Sequence, residues 1–189
     1  QVTVYEKNAS IGCRARQLKK EGFKFDMGPS WYWMPDIFER FFADFGKKVS
    51  EYYELKKLSP GYRVIFGKDD YIDISDEPEK IIEKFEEIEP GSGKHLRKFM
   101  ENSRKNYEIA MKDLVYNPGK SLLELVNLET AARLNLFVQN ISQTVRRNIK
   151  NPKLQSILEF PVLFLGAKPQ NTPAFYNFMN HADFGLGTW

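Results

Sequence analysis

The stretch FKFDMGPSWYWMPDIFERFF, residues 23–42, carries the change of pattern on which the fold prediction depends. An alternating apolar run ends at the pair Gly28-Pro29, and three closely spaced aromatic residues follow. From Asp36 the apolar residues fall on one face of a helix, and Gly46 suits its C-terminal cap. We expect that helix to pack in a core. The Gly-Pro turn itself fits either an ordinary core turn or backbone that approaches a large flat ligand.

The residues before this turn predict a strand and a hairpin. Residues 1–5 alternate β-branched and polar side chains and end at Glu6, as a short strand does. Residues 15–19 and 23–25 predict the two strands of a hairpin, because Glu21-Gly22 supplies a tight turn between them.

The residues after the turn predict a small antiparallel sheet and then mostly helix. Three strands are expected, at residues 52–58, 62–66 and 71–74. Asp76 and Glu79 form a capping-box pattern before an apolar helix. Three more helices are expected, the first of them a long one after the break at residues 89–93 and the others at residues 129–148 and 174–181. Leu134, Val138, Ile141 and Val145 are expected on the buried face of the second of these.

The bulk composition narrows the classes of function. The chain has 189 residues, and aromatic residues make up 14% of them, which indicates a large apolar core or a pocket for a bulky apolar ligand. The net charge of +3 is too small to indicate a nucleic-acid partner. The single cysteine, Cys13, excludes an internal disulfide, and His95 and His181 lie too far apart in sequence to predict a metal site. No apolar run reaches the ~20 residues that span a bilayer.

Two short motifs resemble phosphate-binding loops without matching them. PGKS, residues 118–121, lacks the first Gly of a P-loop, since Leu114 stands at that position. GSGKHL, residues 91–96, has Leu96 in place of the third Gly of a dinucleotide loop. We therefore interpret both as ordinary turns.

Glu6 and Arg14 form a more informative pair. An acidic residue that closes a short strand is where a dinucleotide-binding fold binds the adenosine ribose, about 20 residues after a Gly-rich phosphate loop. Gly12 and Arg14 follow at a loop, and a guanidinium there can pair with a pyrophosphate. The ordinary alternative is a strand-ending Glu and a surface Arg. The phosphate loop would precede residue 1, and the chain opens without Met, so we expect a fragment of a longer protein.

Taken together, the segments VTVYEKN, IGCRAR and FKFDMGPSWYWMP resemble the start of the bacterial phytoene desaturases. These carotenoid desaturases are FAD-dependent, amine-oxidase-like oxidoreductases. Later segments resemble them in the same order, including EFPVLFLGAKPQNTPAFYNFMNHADFGLGTW, residues 159–189. The resemblance implies an α/β fold, with part of a Rossmann-type FAD-binding domain in residues 1–48 and a substrate-binding domain in residues 49–189. The latter would hold the small antiparallel sheet and the helical region.

The resemblance also implies roles for individual residues at the adenosine and phosphate end of FAD. Glu6 would hold the ribose, with Lys7 beside it. Gly12 and Arg14 would lie along the pyrophosphate and ribityl chain. Cys13 departs from the family, which usually has a second Gly at that position, and a side chain there would crowd the cofactor or require a negative φ.

At the other end of the cofactor, Gly28, Pro29 and Ser30 would form the turn near the isoalloxazine ring. A Cβ at Gly28 could collide with that ring. No catalytic acid or base is assigned, and Asp36, Glu39 and Asp183 are read as structural.

The implied function is FAD-dependent desaturation of a carotenoid precursor such as phytoene, by hydride transfer to the flavin. The substrate would be a long apolar polyene, and the enzyme would be cytoplasmic with peripheral contact to the cytoplasmic membrane, through residues 77–150. Without its phosphate loop the fragment should bind FAD poorly and be inactive. Two alternatives stay open at this point: a carotenoid isomerase that uses reduced FAD, and a non-catalytic module that binds an apolar ligand or a partner.

Overall fold

The computed structural model describes residues 3–29, 31–112, 114–118, 120–121, 124 and 128–189. Residues 3–5 have no regular structure, so the described part of the strand predicted at residues 1–5 is not a strand. Gln1 and Val2 lie outside the described residues.

The first sheet is a two-stranded antiparallel hairpin, as predicted. Strand β1 is Arg16–Lys20 and strand β2 is Phe23–Met27, and Lys20 pairs with Phe23. The loop has φ of 52° at Glu21 and 84° at Gly22, the two left-handed residues that a two-residue turn of this twist requires. The side chains of both strands are exposed.

Helix α1 is Pro35–Asp44, and Gly46 follows it with φ of 66°, which confirms the predicted helix and its glycine cap. The expectation that its apolar face is core is wrong for Phe41 and Phe45. Their rings pack against each other at 5.2 Å between centroids and stay exposed, because no described element covers that side of the helix.

The second sheet is also a two-stranded antiparallel hairpin, with β3 at Tyr62–Gly67 and β4 at Asp70–Ile74. The third strand predicted there, at residues 52–58, does not form. Its last residue, Leu58, instead donates its backbone N–H to the carbonyl of Thr188 at 2.9 Å. The next residue, Trp189, exchanges two backbone hydrogen bonds with Tyr32, at 3.0 and 3.1 Å. The end of the chain therefore lies between residues 32 and 58.

Helices make up most of the remainder. They are α2 at Pro78–Ile88, α3 at Ser92–Lys112, α4 at Leu128–Ala131, α5 at Leu134–Val138, α6 at Ile141–Asn148, α7 at Pro152–Glu159 and α8 at Phe178–Asn180. Turns of 3-10 helix occupy Phe160–Leu165 and Ala174–Asn177, and a π-helical turn occupies His181–Gly185. None of the helices in the described part of the chain is both long and apolar enough to cross a membrane.

The predicted helices α2 and α3 are confirmed, but the capping box before α2 is wrong. The helix begins at Pro78, and no side chain caps it at Glu77. The Asp76 carboxylate accepts a hydrogen bond from the Ser59 hydroxyl at 2.6 Å instead. A contact with a distant loop has replaced the local one.

The helix predicted at residues 129–148 is divided into α4, α5 and α6. Helix α6 starts afresh at Asn140, whose side chain accepts from the Gln143 N–H in a complete capping box. Because the helical period restarts there, Ile141 is buried as predicted, whereas Leu134 and Val138 are exposed. The last predicted helix is likewise replaced by the 3-10 turn, α8 and the π-helical turn.

The core lies between the second sheet and the helices. Its fully buried members come from β4, from α2 and α3, and from α6, α7 and the turn after it: Ile74, Phe85, Leu96, Ile141, Leu154, Ile157 and Val162. Trp31 and Trp33 pack against this core from the first 48 residues, and the Trp33 indole N–H donates to the Thr188 hydroxyl at 2.8 Å. The helices and strands together confirm the mixed α and β content. Both sheets in the described residues are antiparallel. The division into two domains at residue 48 stays a prediction.

Candidate functional site

The base of the first hairpin brings together the turns that contain Arg14 and Gly28. Gly28 has φ of 125°, and a Cβ built on it would overlap the backbone carbonyl oxygen of Arg14. Packing within the chain therefore requires glycine at position 28, whether or not a cofactor also lies close to it. This close approach fixes Pro29, the next residue, beside the Arg14 turn. Ser30 lies outside the described residues.

Gly12 is the second glycine of this region that has little room for a side chain. Its φ is 113°, and a Cβ there would lie 3.1 Å from the carbonyl oxygen of Ala15 and from Cα of Arg16. Cys13 follows with φ of 45°, a left-handed conformation that costs an L-residue roughly 1–2 kcal/mol. The expectation that a side chain here demands a negative φ is wrong, because the turn holds Cys13 in the conformation that suits the family's glycine.

Glu6 lies on the same exposed part of the chain, beside Lys7. Its Oε1 accepts hydrogen bonds from the backbone N–H of Asn8 at 2.9 Å and from the Asn8 amide at 2.7 Å. The backbone hydrogen bond from Asn8 is the main cause that holds the pKa of Glu6 below its ordinary value, with a smaller contribution from the charge of Arg16. Glu6 is thus ionised at neutral pH.

The donor set at this end of the molecule fits a dinucleotide. The ionised and exposed carboxylate of Glu6 can accept from ribose hydroxyls. The exposed Arg14 guanidinium has no hydrogen bond or ion pair within the described ranges, so it is available to a phosphate. Gly12 keeps the backbone of the loop open. These residues could hold FAD, and their assignment to it stays a prediction.

A small pocket of about 250 Å³ opens beside these turns and is lined by Ala15, Arg16, Asp26, Met27 and Pro29. Asp26 accepts a hydrogen bond from the Gln17 amide across the hairpin at 3.1 Å. Its position therefore agrees with a role in stabilising the hairpin and its turn.

A buried polar pair that joins β3 to the π-helical turn was not predicted from the sequence. The Tyr62 hydroxyl donates to Asp183 Oδ2 at 2.5 Å, and both residues are buried. Burial raises the pKa of Asp183 to about 7, although the hydrogen bond from Tyr62 opposes that shift. Burial, followed by the charge of Asp183, also raises the pKa of Tyr62. The two residues are 121 positions apart, so no local pattern could have joined them.

A second polar contact joins α1 to α3. The Tyr107 hydroxyl lies 2.9 Å from both carboxylate oxygens of Asp36, and its ring meets His181 edge-on at 5.2 Å. Burial lowers the pKa of His181, and the nearby Arg104 charge adds to that effect. These contacts agree with the structural role expected for Asp36. Among the described residues, no three His, Cys, Asp or Glu side chains come together as metal ligands would.

Comparison with known proteins identifies related sequences over the whole chain. A family model described as flavin containing amine oxidoreductase matches residues 1–189. A protein of Haloarcula japonica named carotenoid 3,4-desaturase is 44% identical over 100% of this chain and 39% of its own length. A protein of Staphylococcus aureus named 4,4'-diapophytoene desaturase (4,4'-diaponeurosporene-forming) is 34% identical over 99% of this chain and 38% of its own length. The chain thus spans about two-fifths of the length of these relatives.

Proposed function

The chain belongs to the flavin-containing amine oxidoreductase family, and from that premise we propose that the full-length protein is an FAD-dependent carotenoid desaturase. The observation that carries the proposal is the 44% identity to a carotenoid 3,4-desaturase over 100% of this chain. The Rossmann-type architecture of the FAD domain is part of the proposal, and the exposed first hairpin would belong to that domain.

Individual residues of this chain would hold the cofactor. Glu6 would accept from the ribose hydroxyls, with Lys7 beside it, and the Arg14 guanidinium would pair with the pyrophosphate. Gly12 would let the backbone approach the phosphates. FAD, when bound, supplies the two-electron acceptor that desaturation of a carbon–carbon single bond requires.

The turn at Gly28 and Pro29 would lie near the flavin ring. The contact between Gly28 and the Arg14 carbonyl supports this role, because it ties the turn to the loop that would run along the phosphates. A rigid turn of this kind orients a cofactor without needing a charged side chain.

The proposed substrate is a long uncharged polyene. Such a molecule offers no charge to bind, so its affinity must come from burial of apolar surface, at about 25 cal/mol per Å². The names of the two relatives support a carotenoid or diapocarotenoid substrate.

The names of the relatives favour desaturation over isomerisation. The two reactions differ in mass, since desaturation removes two hydrogens and isomerisation removes none. Purified full-length protein with FAD should convert phytoene or 4,4'-diapophytoene to products lighter by two hydrogens. Products of unchanged mass from lycopene isomers, with no reaction on phytoene, would instead identify an isomerase.

We also propose peripheral contact with the cytoplasmic face of the membrane, because the substrate partitions into lipid. Exposed apolar side chains in the region expected to make this contact support it: Leu128, Leu134 and Val138 are 92%, 64% and 81% exposed. Apolar side chains of this kind bind at the interface of a bilayer.

A further inference from the structure

A pocket of about 500 Å³ lies between the second sheet and the turn that follows α7. Its apolar walls include Trp31, Tyr62, Val64, Phe160 and Leu163. Its volume is in the range of small-molecule sites. It contains none of the residues to which a role has been assigned above, apart from Tyr62.

The walls are flat aromatic surfaces held in fixed positions. The Trp31 ring stacks on Tyr62 at 4.9 Å between centroids, and Phe160 meets Trp31 edge-on at 5.7 Å. The Tyr62 hydroxyl is anchored by the buried Asp183. A conjugated chain is also flat, so it can stack on such walls with little loss of contact.

The charged groups at the rim of the pocket are already paired. Arg63 donates to both carboxylate oxygens of Asp73, at 2.6 and 2.8 Å. Glu159 accepts from the Arg146 guanidinium at 3.0 and 3.3 Å. Among its described lining residues the pocket therefore presents no unpaired charge to an ionic ligand, and its chemistry matches an uncharged hydrocarbon.

One wall of the pocket is close in sequence to the proposed flavin turn. Trp31, which forms that wall, comes two residues after Pro29. A ligand in the pocket would extend from a place close to where the flavin ring is proposed to lie.

We propose that this pocket binds one segment of the polyene substrate, with the conjugated chain lying against Trp31, Phe160 and the side chain of Leu163. The assignment rests on the proposed desaturase function. It adds to that function the residues that would set the position of the polyene relative to the flavin.

Leu163 offers a sharp test because it is 66% exposed and its substitution disturbs little of the core. Leu165 is a matched control, since it lies in the same 3-10 turn, is 53% exposed and does not line the pocket. In Leu163→Glu a carboxylate would have to lose water against the hydrocarbon, which is unfavourable. Leu165→Glu adds the same charge two residues away.

The experiment uses the full-length, FAD-loaded protein in detergent micelles, with radiolabelled phytoene and 4,4'-diapophytoene as probes. Leu163→Glu should weaken binding and raise KM by about tenfold, whereas Leu165→Glu should stay within about twofold of the parent. Leu163→Ala, which adds no charge, should weaken binding by about threefold through lost apolar contact. FAD content should be the same in all four proteins.

Equal weakening in the two Glu variants, or no weakening at Leu163, would overturn the assignment of the pocket. If phytoene binds with the expected pattern but is not turned over by the parent protein, the pocket stands and the proposed desaturation falls. Binding and turnover thus test the two proposals separately.

Discussion

Gly28 packs directly against the backbone carbonyl oxygen of Arg14, so closely that no Cβ fits between them. This contact joins the end of β2 to the loop that precedes β1. It makes one rigid unit of the residues proposed to lie along the phosphates and those proposed to lie near the flavin ring. The arrangement of the candidate FAD site therefore depends on a glycine for a reason within the protein.

Gly28→Ala should break the contact between the two turns, because the added methyl group must displace the Arg14 carbonyl. We expect a loss of FAD affinity of more than tenfold in the full-length protein and faster amide hydrogen exchange in β1 and β2. Gly22→Ala is the control: φ there is also positive, at 84°, but a Cβ meets nothing within 4 Å. It should show only the smaller cost of the left-handed conformation, so equal effects would contradict the steric explanation.

Arg14→Gln should weaken FAD binding by about tenfold, because it removes a charged donor with no other partner among the described residues. The loss should shrink as salt concentration rises, since salt screens the attraction to phosphate. Lys19→Gln removes a charge from the neighbouring strand β1 and should have little effect. Isothermal titration with FAD at two salt concentrations measures both variants, and similar losses would point to a general charge effect.

Cys13→Gly should stabilise the Gly12–Arg14 turn by about 0.5–1 kcal/mol, because φ is 45° at this position and glycine has no Cβ penalty there. Cys13→Ala separates backbone conformation from thiol chemistry, since it keeps the Cβ and removes the sulfur. It should show no gain. The measurement is FAD affinity together with amide exchange in the turn, and a gain in both variants would assign the effect to the thiol.

Asp183→Asn should reduce the dependence of stability on pH. The pKa of Asp183 is raised from 3.8 to about 7, so the folded chain keeps a proton that the unfolded chain loses between those values. The loss of stability that this raised pKa causes is absent below about pH 4, grows as pH rises and is complete above about pH 7. In the parent chain, ionisation of Asp183 should therefore lower the free energy of unfolding by roughly 2–3 kcal/mol as pH rises from about 5 to about 8.

Denaturant unfolding at those two pH values measures this effect. In Asp183→Asn the decrease should be smaller by that amount, because the amide does not titrate. The exposed Asp44→Asn is the control and should keep the pH dependence of the parent. A decrease that is unchanged in Asp183→Asn would show that the raised pKa is not linked to folding.

Local patterns predicted the elements whose stabilising contacts are local. The turn residues Glu21-Gly22 specified the first hairpin, and the apolar period specified α2 and α3. The strand expected at residues 52–58 does not form, and its last residue, Leu58, bonds instead to the backbone of Thr188, which lies far along the chain. The helix expected at residues 129–148 failed because the capping box at Asn140 restarts the helix and shifts which side chains are buried.

The candidate site likewise combines residues that a local pattern predicts with residues that only long-range contacts bring together. Glu6 and Arg14 could be proposed from the sequence because an acid that closes an alternating run, together with the following loop, forms a local pattern, although the described residues before Glu6 do not form a strand. The contact of Gly28 with Arg14 and the pairing of Tyr62 with Asp183 could not, because both depend on segments that meet only in the folded chain. The pocket beside Trp31 likewise draws its walls from three separate parts of the sequence.

The most direct test of the central claim is a single turnover of the full-length protein with oxidised FAD and phytoene, or 4,4'-diapophytoene, in the absence of oxygen. We predict that the visible absorbance of the flavin bleaches as a product lighter by two hydrogens appears, in equal amounts and at the same rate. A flavin that stays oxidised while both polyenes are recovered unchanged in mass would contradict the account.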